Sequence, residues 1–304
     1  MPKFSNAVEE AQALGAVGLV AWEKGETPKV RAVTERLQAI QAKNPPTVDL
    51  LEAIAAAYRQ IRKQDLALSA YNAKLKLIRE QNLGALPEFN VLNAIAQLHL
   101  EWFGYSKAAE TYNELLGQAD RDQDLPNQVA YLYQLAYIHE ESRQPQAAAD
   151  TLERLIPLYQ TQLAQTQVLP VLLPLMKLRL GDNYRAVKNF DQAERTYQDC
   201  FTVAQGLVQF SYAQEALHHL GQLYEQIDRT DAAIQVYDYL TTFEQEQLLD
   251  YYSAMGSYDR LSSLYGKKGD RQRAIAAASQ GLALAQKLKL RVAEFETKLK
   301  KLQG

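Results

Sequence analysis

The sequence is short of several things, and each shortage closes off a class of protein. One cysteine in 304 residues rules out an intramolecular disulfide and fits a reducing compartment. With only 14 Gly and 10 Pro, and no sustained alternation of β-branched and polar residues, strands are not expected. The apolar run from Ala13 to Trp22 is too short to span a bilayer. Near the N-terminus, Glu9 and Glu10 stand where a secretory signal would need an apolar core. A formal net charge of −3 gives no general attraction to nucleic acid or an anionic membrane. These readings predict a cytoplasmic chain, at most peripheral to a membrane, with no nucleic-acid partner.

What is present is a ladder. From Gly181 the chain gives Tyr184, Ala193, Tyr197 and Cys200, at offsets of 3, 12, 16 and 19. The same offsets recur from Gly18, Ala55, Ala96, Ala136, Gly221 and Ser262, making seven copies. Every anchor is Gly, Ala or Ser, and the residue twelve further on is Ala in each copy but the first, which has Val30. Read as two helices joined by a turn, the offsets set small residues where the helices cross, the twelfth-offset alanine facing the anchor. Bulky residues at the sixteenth offset then fill the wider space between one pair and the next. No such pair buries its apolar stripe alone, so the copies must stack.

This pattern resembles the tetratricopeptide repeat, in its long form exemplified by kinesin light chain. Successive anchors lie 37, 41, 40, 45, 40 and 41 residues apart, against about 34 for the standard repeat. The surplus reads as helices lengthened by about a turn plus longer connections such as 81–90, 120–128 and 160–174. The resemblance implies an all-α, right-handed α-solenoid forming one domain over 1–304. Its hairpins are expected at about 5–43, 47–82, 88–119, 127–164, 174–209, 212–247 and 252–289, with a capping helix at 290–303. In that helix Val292, Phe295, Leu299 and Leu302 share one face. Thr47 and Ser106 are candidate N-caps. The stretch from Leu169 to Met176 reads as an extended approach to the fifth pair, with Pro174 in that helix's first turn. Its apolar residues either pack beneath the connection or form an exposed patch.

No catalytic constellation accompanies the ladder. Cys200 occupies a slot held by leucine in other copies, which predicts a buried, inert thiol rather than a nucleophile served by His218 or His219. Those adjacent histidines lack the spacing that puts two imidazoles on one helical face, and no Cys/His set has zinc spacing. Neither enzyme, metal nor cofactor is expected.

Binding is expected instead. In proteins of this kind the first helix of each pair lines a concave groove for an extended peptide or partner helix. Carried onto this sequence, the groove includes Glu101, Tyr133, Tyr137, Glu140, Glu141, Leu178, Arg185, His218 and Glu225. Two tyrosines and a leucine among acids point to a protein or peptide segment that is basic or mixed in charge, with apolar anchors. The lysine- and asparagine-rich set with which some members clamp a chaperone's C-terminal carboxylate is missing. The implied role is a scaffold or adaptor, one that assists assembly of a larger complex. The Ala- and Gln-rich composition is similar to that of cyanobacterial members that work in photosystem biogenesis. The alternative is a peptide-sensing regulator like the bacterial receptors built from these repeats.

Overall fold

Three-residue turns set the architecture. In a computed structural model, which describes residues 6–304, every described element is a helix. At the turn 61–63 the middle residue, Arg62, adopts φ 59°. The amide of Lys63 then returns to the carbonyl of Tyr58, five residues back, at 2.8 Å. This left-handed helix stop satisfies carbonyls that would otherwise be orphaned. The device recurs at Phe103, Gln123, Lys188, Val208 and Asp228, and with glycine at Gly25 and Gly269. The same turn geometry thus serves within hairpins and, at Gln123 and Val208, between them, whereas the links 44–47, 167–172 and 247–250 differ.

The chain divides into two compact units, 1–142 and 143–304. The first holds α1 (Ala7–Glu23), α2 (Thr27–Lys43), α3 (Val48–Gln60), α4 (Gln64–Glu80), α5 (Ala85–Glu101), α6 (Tyr105–Arg121) and α7 (Leu125–Glu141). The second holds α8 (Pro145–Thr166), α9 (Leu173–Ala186), α10 (Phe190–Gly206), α11 (Phe210–Gln226), α12 (Thr230–Glu246), α13 (Tyr251–Lys267), α14 (Arg271–Leu288) and α15 (Val292–Gln303). Within each unit successive helices pack on one another as a solenoid stack. The boundary falls at the turn inside the expected fourth hairpin, 127–164. Ser5, the expected start of the first, lies outside the described residues.

Packing follows the ladder. The alanines at 67, 108, 148, 193, 233 and 274 are all fully buried, as are the anchors Ala55, Ala96 and Ala136. One detail of the expected packing changes. A Cβ added to Gly181 would lie 2.5 Å from Cε1 of Tyr197, and one added to Gly221 would lie 2.8 Å from Cζ of Tyr237. The aromatic at the sixteenth offset thus lies directly over its own repeat's anchor. Tyr197 also meets the next hairpin, its ring edge-on to His219 at 5.6 Å.

The surplus residues went mostly into helix, and of the expected long connections only 167–172 remains extended. Most helices have 17 residues, and only 122–124 of the expected loop 120–128 is non-helical. Thr47 caps α3, accepting from the amide of Leu50 at 3.2 Å. Ser106 does not cap, because α6 starts one residue earlier and its N-cap is Gly104. Pro174 sits in the first turn of α9. Around it the apolar stretch divides: Leu173 and Met176 are core, whereas Val168, Leu169, Val171 and Leu172 are exposed. Phe295 of α15 is buried over Gly281 of α14, and the capping helix is tied down through Asp259, which accepts from Lys298 and from Arg291, the latter at 2.9 Å.

Candidate functional site

The first helix of each hairpin presents its anchor to the core and turns the residues one, four and five positions later outward. In unit 1 the outward positions form a wall whose charges are largely spoken for. Arg59 of α3 reaches across to Glu101 of α5, its Nε 3.0 Å from one carboxylate oxygen and 3.2 Å from the other. That hydrogen bond holds the guanidinium's pKa above its ordinary value. Lys74 reaches up from α4 to Glu52 at 2.6 Å. A cleft of about 450 Å³ opens beside these groups, lined by Leu19, Glu52, Ala56, Arg59, Tyr71 and Glu101. On α7, Glu141 accepts from the hydroxyl of Tyr105 at 3.4 Å. Tyr137 stands 43% exposed, while Tyr133 and Glu140 are half-buried on the same helix.

The wall in unit 2 is knitted more tightly. Asp182 of α9 accepts from the hydroxyl of Tyr197 at 2.7 Å and bonds Nδ1 of His219 at 2.6 Å. Glu225 of α11 accepts from the Tyr237 hydroxyl at 2.8 Å and lies 3.6 Å from Arg260. Burial and then the carboxylate partner push both tyrosines well above the ordinary phenol range, so they remain donors throughout the neutral range. Arg185 donates to Gln226 at 2.8 Å and to Gln222 at 3.2 Å. His218 bonds Glu244 at 2.7 Å; that carboxylate is wholly buried and also accepts from Ser257 and Gln214. Between α11 and α13 lies a cleft of about 410 Å³ bounded by His218, Gln222, Tyr237, Arg260, Ser263 and Arg291.

Leu178 corrects the sequence reading. It was expected in the groove and lies three residues before its anchor, but it is buried. That position borders the contact between neighbouring first helices. An apolar side chain there turns into the core, while Asn93, Tyr133 and His218 at the same offset remain half-exposed. The cross-wall pairs were missed, although a regular offset carries them. The residue four after one anchor meets the residue five after the next, as in Arg59 with Glu101 and Arg185 with Gln226.

Cys200 is fully buried and donates to the carbonyl of Pro174 at 3.1 Å. Burial pushes its thiol up to about 12, so it has the character of packing rather than of a nucleophile. His218 and His219 are engaged with Glu244 and Asp182, not with the thiol. Among the described residues, no cluster of three or more His, Cys, Asp or Glu side chains is placed to hold a metal ion. No helix among them is long and apolar enough to cross a membrane.

Family models described as tetratricopeptide repeat match residues 130–159 and 214–240, which take in the anchors Ala136 and Gly221. Both stretches are tetratricopeptide repeats. No curated protein matches the sequence of the chain. Among solved structures, it resembles the C-terminal part of a tetratricopeptide-repeat protein from Cytophaga hutchinsonii at 15% identity and a TM-score of 0.54, covering 89% of this chain and 95% of that one. A signal-transduction ATPase with a tetratricopeptide repeat sensor, from Pyrococcus horikoshii, aligns at 14% identity and a TM-score of 0.54, over 95% of this chain and 46% of that one. Kinesin light chain-like repeats from Podosopora anserina align at 17% identity and a TM-score of 0.49, over 66% of this chain and 95% of theirs. At these identities the likeness to the two structures with a TM-score of 0.54 establishes the all-α repeat fold.

Proposed function

We propose that this chain is a non-enzymatic scaffold whose first-helix faces hold a segment of another protein. The observation that carries this reading is the contrast between an aromatic left 43% exposed on α7, Tyr137, and walls whose charges are met from within the fold. Glu101 is neutralised by Arg59, and in unit 2 Asp182 and Glu225 are satisfied by tyrosines, His219 and Arg260. A ligand that relied on charge alone would have to break these bonds. The surface therefore favours a segment of mixed polarity with an apolar or aromatic anchor laid on Tyr137, because an aromatic buries large area at small entropic cost. Glu140 and Glu141 of the same helix would supply hydrogen bonds around it; in unit 2 Arg185 and His218 offer polar groups on that unit's own first-helix face, with Leu178 serving only to shape the wall.

The test is affinity capture with mass spectrometry, comparing the native chain with Tyr137→Ala. Loss of one protein partner from the variant, with helix content unchanged, supports the scaffold. Capture that is unaltered by Tyr137→Ala refutes the assignment of the surface. Recovery of a short free peptide in place of a protein would favour the sensor alternative.

A further inference from the structure

Helix α1 is apolar on more sides than its neighbours occupy. It packs on α2 and α3 through Ala11, Gly15, Gly18 and Ala21. On the opposite side Ala16, Val17 and Val20 are exposed, Val17 by 57% and Val20 by 48%, with Ala13 half-exposed beside them. At 100° per residue these four fall within one stripe, separate from Leu19 and Trp22, the outward positions one and four after the anchor Gly18. A face that a solenoid turns to water is normally polar. That is how α15 ends the other unit, with Glu296, Lys300 and Lys301 outward. The stripe on α1 breaks that rule. It is bounded at one end by a carboxylate, Glu9, and at the other by an ammonium, Lys24, and both residues are exposed.

The order of these residues is self-complementary. If two α1 helices cross antiparallel about a twofold axis level with the Ala16–Val17 bond, Val17 lies beside Ala16 of the second copy. Val20 lies beside Ala13 of the second copy, and Lys24 meets Glu9 of the second copy. The small alanines let the helices approach closely while the valines fill the seam, and a twofold interface must pair one patch with itself in this way. Glu9 is exposed while accepting from the side chain of Asn6 at 3.3 Å, and the neighbouring Glu10 is held by Arg36 at 2.6 Å. We propose that the outer face of α1 is a homodimer interface, in which a second copy of this chain covers the stripe antiparallel. One helix per partner is a small interface, so the dimer forms in the micromolar range or weaker.

Sedimentation equilibrium of the full chain from about 5 to about 500 μM reads the association directly. A concentration-dependent monomer–dimer equilibrium is expected. Val17→Glu places two carboxylates in the seam and should weaken the dimer by at least roughly a hundred-fold. Because Val17 faces solvent in the single chain, thermal unfolding of the variant should be unchanged. Lys24→Glu alone should weaken it roughly ten-fold by setting like charges together. Glu9→Lys added to Lys24→Glu restores the pairing and should return the affinity to within about three-fold of native. A chain that stays monomeric across the range overturns the proposal, as does a dimer indifferent to Val17→Glu. Binding of vesicles containing about one-third phosphatidylserine, in place of self-association, would assign the stripe to a lipid surface and overturn it too.

Discussion

Gly181→Ala should destabilise the protein although it replaces the poorest helix former but proline with the best. Removing glycine from the interior of α9 gains about 1 kcal/mol of helix propensity. Against that, the new methyl would sit 2.5 Å from Cε1 of Tyr197, about 1 Å inside ordinary van der Waals contact. The ring has little room to retreat. Its hydroxyl is held by Asp182 at 2.7 Å, and its edge is set against His219. Overpacking a filled core costs about 1–3 kcal/mol, and with the ring held at both ends the upper part of that range applies. The net expectation is a loss of about 2 kcal/mol. Gly256→Ala is the internal control, since nothing lies within 4 Å of its new Cβ on α13. It should stabilise by about 1 kcal/mol. Urea unfolding with a check for constant m-value reads both, and amide exchange on α9 and α10 shows whether the loss is local. If Gly181→Ala stabilises as Gly256→Ala does, the tyrosine-over-anchor packing is wrong.

Val208 sits at φ 59° with its side chain exposed, so Val208→Gly relieves left-handed strain on a β-branched residue. It should raise stability by about 1 kcal/mol in the same urea assay. Cys200, with its thiol pushed up to about 12, should resist a thiol reagent at pH 8 in the folded protein and react at once in denaturant. Asp259 sets an acid limit on the C-terminal end. Its burial works to raise the carboxyl, but hydrogen bonds from Lys298 and Arg291 outweigh this and hold it below the usual carboxylate range. A folded-state pKa below the unfolded one contributes stability above about pH 4, and that stability is lost as pH falls through the depressed value. Amide protection in α15 should therefore fall first on acidification, and Asp259→Asn should lower it at neutral pH.

How far the sequence carried differs between fold and surface. The alanine ladder was legible because a fixed offset in a helix fixes a direction, and every one of those alanines is fully buried. Turn positions were less so. The third hairpin turns at 103–106, where glycine is the residue that best tolerates a left-handed conformation, yet Phe103 takes it, and Gly104 lies where a Cβ would come 3.2 Å from the carbonyl of His99. Composition tells that a turn is near, whereas the hydrogen-bonded count from the preceding helix decides which residue bends. At the surface, periodicity places a residue on a face but does not say whether its side chain turns in, as Leu178 does, or out, as Tyr137 does. Nor does it show that an acid such as Asp182 already has its partners, because those come from the next helix and the next hairpin.

The central claim is that the outward faces of the first helices are the working surface. Hydroxyl-radical footprinting of the chain with and without its captured partner tests it, because two tyrosines start almost equally accessible. Tyr137 on first-helix α7 is 43% exposed, and Tyr239 on second-helix α12 is 47% exposed. Protection of Tyr137 with Tyr239 unchanged is the predicted result. Protection of Tyr239 with Tyr137 still reactive would contradict it.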